Sequence, residues 1–181
     1  TFSDQEIDIS LPYVSEADVL LLQGEINIEA NIKAALFAKS VNKTVVLNVA
    51  PYNENLKQLY SNLDFITLNA NQASHWADIE INDINDENKK VIIYMDELGV
   101  VYFDGRATFH IPPMPSLRVD TMAATDAFNG AFASKIAAGG TMHESVLFAS
   151  AFLSAFIEQK GVTAMPVLSQ VQARLKSRLE D

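Results

Sequence analysis

Val119-Asp120-Thr121-Met122-Ala123-Ala124-Thr125-Asp126-Ala127-Phe128-Asn129-Gly130 sets a carboxylate behind a run of small residues, at the head of a helical pattern. From Thr125 to Ala138 the side chains of Phe128, Ala131, Phe132 and Ile136 fall on one face, and Gly139-Gly140 closes the pattern. The N–H groups at a helix start lack intrahelical acceptors and can bind phosphate, and small side chains let a phosphate approach them. A nearby Asp can take a proton from an alcohol. A plainer role competes: Asp126 stabilises the positive end of the helix dipole. Spacing alone leaves both readings open.

Upstream, short apolar runs alternate with helical segments. Asp18 to Gly24, Thr44 to Val49 and Phe65 to Leu68 read as buried strands, with helical patterns from Ile28 to Lys39 and from Asn55 to Tyr60. Buried strands spaced by helices imply right-handed crossovers and a mostly parallel sheet. Ile79 to Asn88 is polar and reads as a surface loop, followed by a strand at Lys90 to Tyr94. Asp104-Gly105 between Val100–Phe103 and Ala107–Ile111 is a hairpin signal. Ile111-Pro112-Pro113-Met114-Pro115 is a connector, because proline removes donors and fixes φ. Downstream, Thr141-Met142-His143-Glu144 has the capping-box pattern, and Val146 to Ile157 is apolar almost all round, so that helix should be buried. Leu168, Val171, Leu175 and Leu179 mark a final amphipathic helix.

The 181 residues, 49% hydrophobic and 20% charged, fit one folded α/β domain over 1–181. A formal charge of −10 argues against nucleic acid as a partner. With no cysteine there is no disulfide framework or thiolate site, which suits a reducing cytoplasm. The first residues lack a secretory pattern, and Val146 to Ile157 is only about half the roughly 20 residues that span a bilayer, so no membrane role is expected.

The stretch from Asp120 to Gly130 resembles the C-terminal signature of the ribokinase-like kinases, which include ribokinase, fructokinase and adenosine kinase; its usual form is Asp-Thr-x-Gly/Ala-Ala-Gly-Asp-x-Phe-x-Gly. Ala17 to Gln23, Leu47 to Pro51, Asp64 to Asn69, Val91 to Ile93 with Gly99-Val100, and Lys160 to Val162 with Met165-Pro166 follow in the family's order, so the resemblance covers essentially the whole chain. It implies a three-layer α/β/α fold with a β-hairpin near the C-terminal strands, equivalent to the C-terminal, nucleotide-binding part of such a kinase. It also implies ATP-dependent phosphoryl transfer to a sugar hydroxyl, with Mg2+ and K+ as cofactors and a sugar and a nucleotide as small-molecule partners.

By that resemblance Asp126 is the catalytic base, and the N–H groups of Ala124, Thr125 and Asp126 form an anion hole. Asn69, Gln72, Tyr94, Asp96, Gly99 and Ser150 contact the nucleotide or its phosphates, and Asp120 helps bind a monovalent cation. Four positions depart from the pattern. Thr125 replaces the usual Gly; Gln72 replaces the Glu of an Asn-x-x-Glu element; Tyr94-Met95-Asp96 stands for Thr-x-Gly; and the Gly161 to Pro166 segment is a residue short, with Ala164 for Ser. A β-branched side chain at 125 crowds close phosphate approach, and an acid at 96 repels triphosphate. The family's N-terminal strands, lid and sugar-gripping Asp have no match here, so a missing N-terminal segment or another subunit is a further expected partner. The departures carry a second reading, a degenerate or truncated ribokinase-fold chain acting as a binding or interaction module.

Other residues read more plainly. His75, His110 and His143 lack ligand spacing, and Trp76 reads as core. Asp83, Asp86 and Glu87 lack the Gly and terminal Glu of a calcium loop, and Ser134, Ser150 and Ser154 lack a nucleophile elbow.

Overall fold

Three short apolar runs set the sheet in register. The computed structural model describes residues 3–76 and 89–180. In it β1 (Val19–Gln23) pairs in parallel with β2 (Thr44–Asn48), Val19 opposite Thr44 and Gln23 opposite Asn48. Strand β2 pairs in parallel with β3 (Phe65–Asn69), Val46 opposite Phe65. With β4 (Lys90–Tyr94), β5 (Val100–Phe103) and β6 (Thr108–Ile111) the sheet has six strands in the order β1-β2-β3-β4-β5-β6. The expected loop at Ile79–Asn88 and the acids Asp83, Asp86 and Glu87 lie outside the described residues.

The chain divides into two compact units, Thr1–Ile93 with Tyr102–Thr108, and Tyr94–Val101 with Phe109–Asp181. In the first unit, α1 (Asp4–Glu16) precedes β1, α2 (Ile28–Ser40) crosses from β1 to β2, and a 3-10 segment (Glu54–Asn62) crosses to β3. The core holds Leu22, Ala35, Val45, Leu47, Leu59 and Ile66, and Trp76 at the end of α3 (Ala70–Trp76) joins it at 2% exposure. Trp76 is therefore core, as expected of a lone aromatic in a helical stretch. At the hairpin tip Asp104 Oδ1 accepts from the N–H groups of Arg106 and Ala107, both at 2.9 Å, and Gly105 takes φ 95°.

The second unit is built on three helices. Helix α4 (Ala124–Ala137) buries Phe128, Ala131 and Phe132, and α5 (Met142–Phe156) buries Val146, Ala149, Leu153 and Phe156. Helix α5 starts on the capping box read from sequence: Thr141 Oγ1 accepts from Glu144 N at 3.3 Å, and Glu144 Oε2 accepts from Thr141 N at 2.8 Å. Helix α6 (Leu168–Glu180) sends Val171 into a cluster with Met114 and Ala151. No helix among the described residues is long and apolar enough to cross a membrane.

Candidate active site

Asp126 is the third residue of α4, the position from which a long acidic side chain reaches back to cap a helix. Glu6 in α1 and Glu144 in α5 occupy that position and do so. Asp126 does not. The cap residue of α4 is Ala123, held at φ 59°, ψ 20° in the left-handed region, with no side-chain capping bond. The N–H of Ala124 donates to Thr121 O at 3.1 Å and that of Ala127 to Ala123 O at 2.9 Å. Among the described residues nothing accepts from the N–H groups of Thr125 and Asp126. Of the three expected donors, Ala124 is thus already engaged, and two remain at the positive end of the helix, where an anion is stabilised.

The sequence reads Thr125 as crowding the approach of a phosphate; in the structure it is the second residue of α4, which starts one residue earlier than its pattern predicts. Thr125 therefore lies within regular helix, where a β-branched side chain is tolerated, and the left-handed residue is Ala123.

Asp126 lies on a cavity of about 420 Å³ beside Ala127, Gly130 and Ser134 of α4. Its other walls are apolar, including Phe148, Phe152, Phe156, Val162 and Met165. Asp126 is the one charged residue of the lining. No hydrogen bond or ion pair engages its carboxylate among the described residues.

Asp120 behaves differently. One of its oxygens accepts from Met122 N at 2.9 Å and the other from Gly161 N at 3.0 Å. Those bonds, Met122 first, hold its pKa below the usual 3.8. The same turn is fixed by Val119 N and Asp120 N, which both donate to Ile157 O, at 2.8 and 3.1 Å. Asp120 thus ties the approach to α4 to the loop after α5, with both oxygens in use. No cluster of metal-ligating side chains is found among the described residues.

Tyr94, Asp96 and Gly99, neighbours in sequence, and the distant Ser150 line a second cavity of about 250 Å³ together with Pro113 and Arg118. Gly99 is at φ 86°, and a Cβ there would lie 2.2 Å from Ile111 O, so only glycine lets the connector after β6 pass. Ser150 is buried, its hydroxyl donating to Val146 O at 2.9 Å. Tyr94 packs on Phe128 at 6.2 Å, and burial first, then the Asp96 carboxylate, pushes its phenol pKa up. Sequence reasoning missed Arg118. It donates to Glu97 Oε1 at 3.1 Å and to Asp96 Oδ1, 22 positions away, a pairing no local pattern signals.

In the other unit, Asn69 and Gln72 bond to each other's backbone. Asn69 N donates to Gln72 Oε1 and Gln72 N to Asn69 Oδ1, both at 2.8 Å. Each amide oxygen is thus engaged at the start of α3, and the two residues make a poor magnesium-ligand pair; their NH2 groups suit an acceptor such as phosphate. The histidines are dispersed: His75 stacks on Tyr52 at 5.2 Å, His110 Nε2 lies 2.7 Å from Leu98 O, and His143 is exposed at the start of α5.

The layered α/β fold is that of the ribokinase-like proteins. Ribokinase from Thermotoga maritima superposes with a TM-score of 0.84 at 27% identity, covering 96% of this chain and 62% of that one. The structure of Arabidopsis thaliana ribokinase complexed with ribose and ATP gives 0.83 at 26%, covering 97% and 60%. The pfkB family carbohydrate kinase model matches residues 1–168, and the chain belongs to that family. Ribokinase of Lactococcus lactis is 30% identical over 166 residues, which are 90% of this chain and 55% of that protein. The chain therefore spans a little over half the length of these three relatives.

Proposed function

We propose that this chain carries the nucleotide-binding cavity and the catalytic base of a kinase that moves a phosphoryl group from ATP to a sugar hydroxyl. The observation that carries the reading is Asp126: an unengaged carboxylate beside two free N–H groups at an uncapped helix start. Asp126 accepts the proton of the attacking hydroxyl, while the N–H groups of Thr125 and Asp126 face the charge that develops on the transferred phosphoryl group. The cavity at Tyr94, Gly99 and Ser150 takes the nucleoside end of ATP. Magnesium would arrive with the nucleotide and neutralise its charge. A monovalent cation such as K+ beside Asp120 belongs to the same reading. The kinases among the relatives favour phosphoryl transfer over a non-catalytic binding module. A missing N-terminal segment or a second subunit would complete the sugar side. A cytoplasmic setting fits the absence of cysteine.

Calorimetric titration of MgATP into the chain, and into Ser150→Trp, tests the cavity: saturable binding abolished by the bulky substitution is expected. Ribose-dependent ADP release, measured in a protein that also carries the sugar-binding segment and is shown to be active, tests the base. Asp126→Asn should keep MgATP affinity and lose about a hundredfold or more in turnover. A loss under about tenfold would remove Asp126 from that role.

A further inference from the structure

The cavity given above to the nucleotide has an ionic rim. Arg118 meets Asp96 and Glu97 through separate guanidinium nitrogens, and Tyr94 Oη donates to the same Asp96 oxygen at 3.3 Å. All four residues line the cavity. Asp96 reaches this place in the left-handed region, at φ 52°, a conformation Asp and Asn tolerate better than most residues. The two carboxylates are 66% and 81% exposed, whereas the Arg118 side chain is 33% exposed. Exposed ion pairs are weak and screened by salt. A guanidinium bonded to phosphate is charge-assisted and often bidentate. Two carboxylates against one guanidinium leave the rim one negative charge in excess.

We propose that Arg118 is the phosphate-contacting cation of this cavity, and that Asp96 and Glu97 compete with the ligand for it. The site then sorts adenine ligands by their phosphate charge. Adenosine binds without disturbing the rim, and each further phosphate must draw Arg118 away from the carboxylates. Asp96 is thus a specificity residue acting through Arg118. This inference rests on the nucleotide reading of the cavity.

Titrating adenosine, ADP and ATP into the wild-type chain, Asp96→Asn, Glu97→Gln and Arg118→Gln separates the two. Asn suits the left-handed backbone and Glu97 is exposed, so both neutral variants keep the fold, which circular dichroism checks. The readout is the ratio of ATP to adenosine affinity in each protein, since a change of cavity shape acts on both ligands whereas an uncharged ligand has no Coulomb term with the rim. That ratio should rise about fivefold at low salt in Asp96→Asn, rise less in Glu97→Gln, and fall about tenfold in Arg118→Gln. The gains should shrink as salt is raised. Adenosine binding with an ATP-to-adenosine ratio that none of the variants changes overturns this inference alone. A wild-type chain that binds neither ligand overturns the nucleotide reading and the inference together.

Discussion

Replacing Gly99 by alanine sets a methyl group where main chain already stands. Gly99 has φ 86° and ψ −139°, a region costing an L-residue about 1–3 kcal/mol. The new Cβ would also lie 2.2 Å from Ile111 O, 2.8 Å from Pro113 N and 2.9 Å from Pro112 C. These are backbone atoms, so no side chain can rotate away, and relieving such overpacking costs about 1–3 kcal/mol more. The expected loss is about 2–6 kcal/mol, a large part of an ordinary domain's stability. Gly139→Ala is the control: it has φ 81°, but nothing lies within 4 Å of its Cβ, so only the backbone contribution applies. Urea unfolding followed by far-ultraviolet circular dichroism should place Gly99→Ala below Gly139→Ala by about 1–3 kcal/mol. Because Gly99 lines the cavity with Ser150, Gly99→Ala should also weaken nucleotide binding, whereas Gly139→Ala should not. Unfolding free energies within about 0.5 kcal/mol of each other would refute the close-approach argument.

Acid should destabilise the fold through four engaged carboxyls. Ser3 holds the Glu6 pKa below the usual 4.5, the N–H groups of Ala107 and Arg106 do the same for Asp104, those of Met122 and Gly161 for Asp120, and Thr141 for Glu144. A folded pKa below the unfolded one gives stability that is complete above the unfolded value and lost as pH falls through the folded value. The urea midpoint should therefore hardly respond to these groups above about pH 5 and fall below it; an Asp120→Asn variant with an unchanged acid slope would show that Asp120 contributes nothing. Thr141→Ala removes one half of the α5 capping box, at a cost of about 1 kcal/mol. Its thermal midpoint should drop by about 2–4 °C, and an unchanged melt would contradict the cap assignment.

The elements legible in sequence are those with a local cause. Helix α5 announces itself through Thr141 and Glu144 three residues apart, and the β5–β6 turn through Asp104-Gly105, because each bond closes within a few residues. Helix α1 carries the same kind of signature in Ser3 and Glu6, yet its period does not mark a buried stripe: Ile7 is buried, but Ile9 and Tyr13 are 63% and 71% exposed, and Pro12 sits inside. The sequence pointed to Asp126 and to the set Tyr94, Asp96, Gly99 and Ser150, and the structure puts that set on one cavity. The state of each group was not legible. Arg118 changes the meaning of Asp96 from 22 positions away, and Gly161 engages Asp120 from 41 away. Such contacts depend on how the chain returns upon itself, which no window of residues records.

Hydrogen bonds accepted by a carboxylate stabilise its charged form and make it a weaker base, and this separates Asp126, which accepts none among the described residues, from the acids that do. Asp120 spends both oxygens on Met122 and Gly161, and Asp96 accepts from Arg118 and Tyr94. Glu144 and Glu6, at the same helical position as Asp126, are committed to their caps. Asp126 shares their position but not their bonds. The dipole reading of Asp126 explains a carboxylate near a helix start, yet it does not explain why this helix alone among α1, α4 and α5 starts on a left-handed alanine without a side-chain cap. Leaving that end uncapped forgoes about 1 kcal/mol of helix stability, and what it leaves in place is a pair of N–H groups beside a free carboxylate. Phosphoryl transfer uses both.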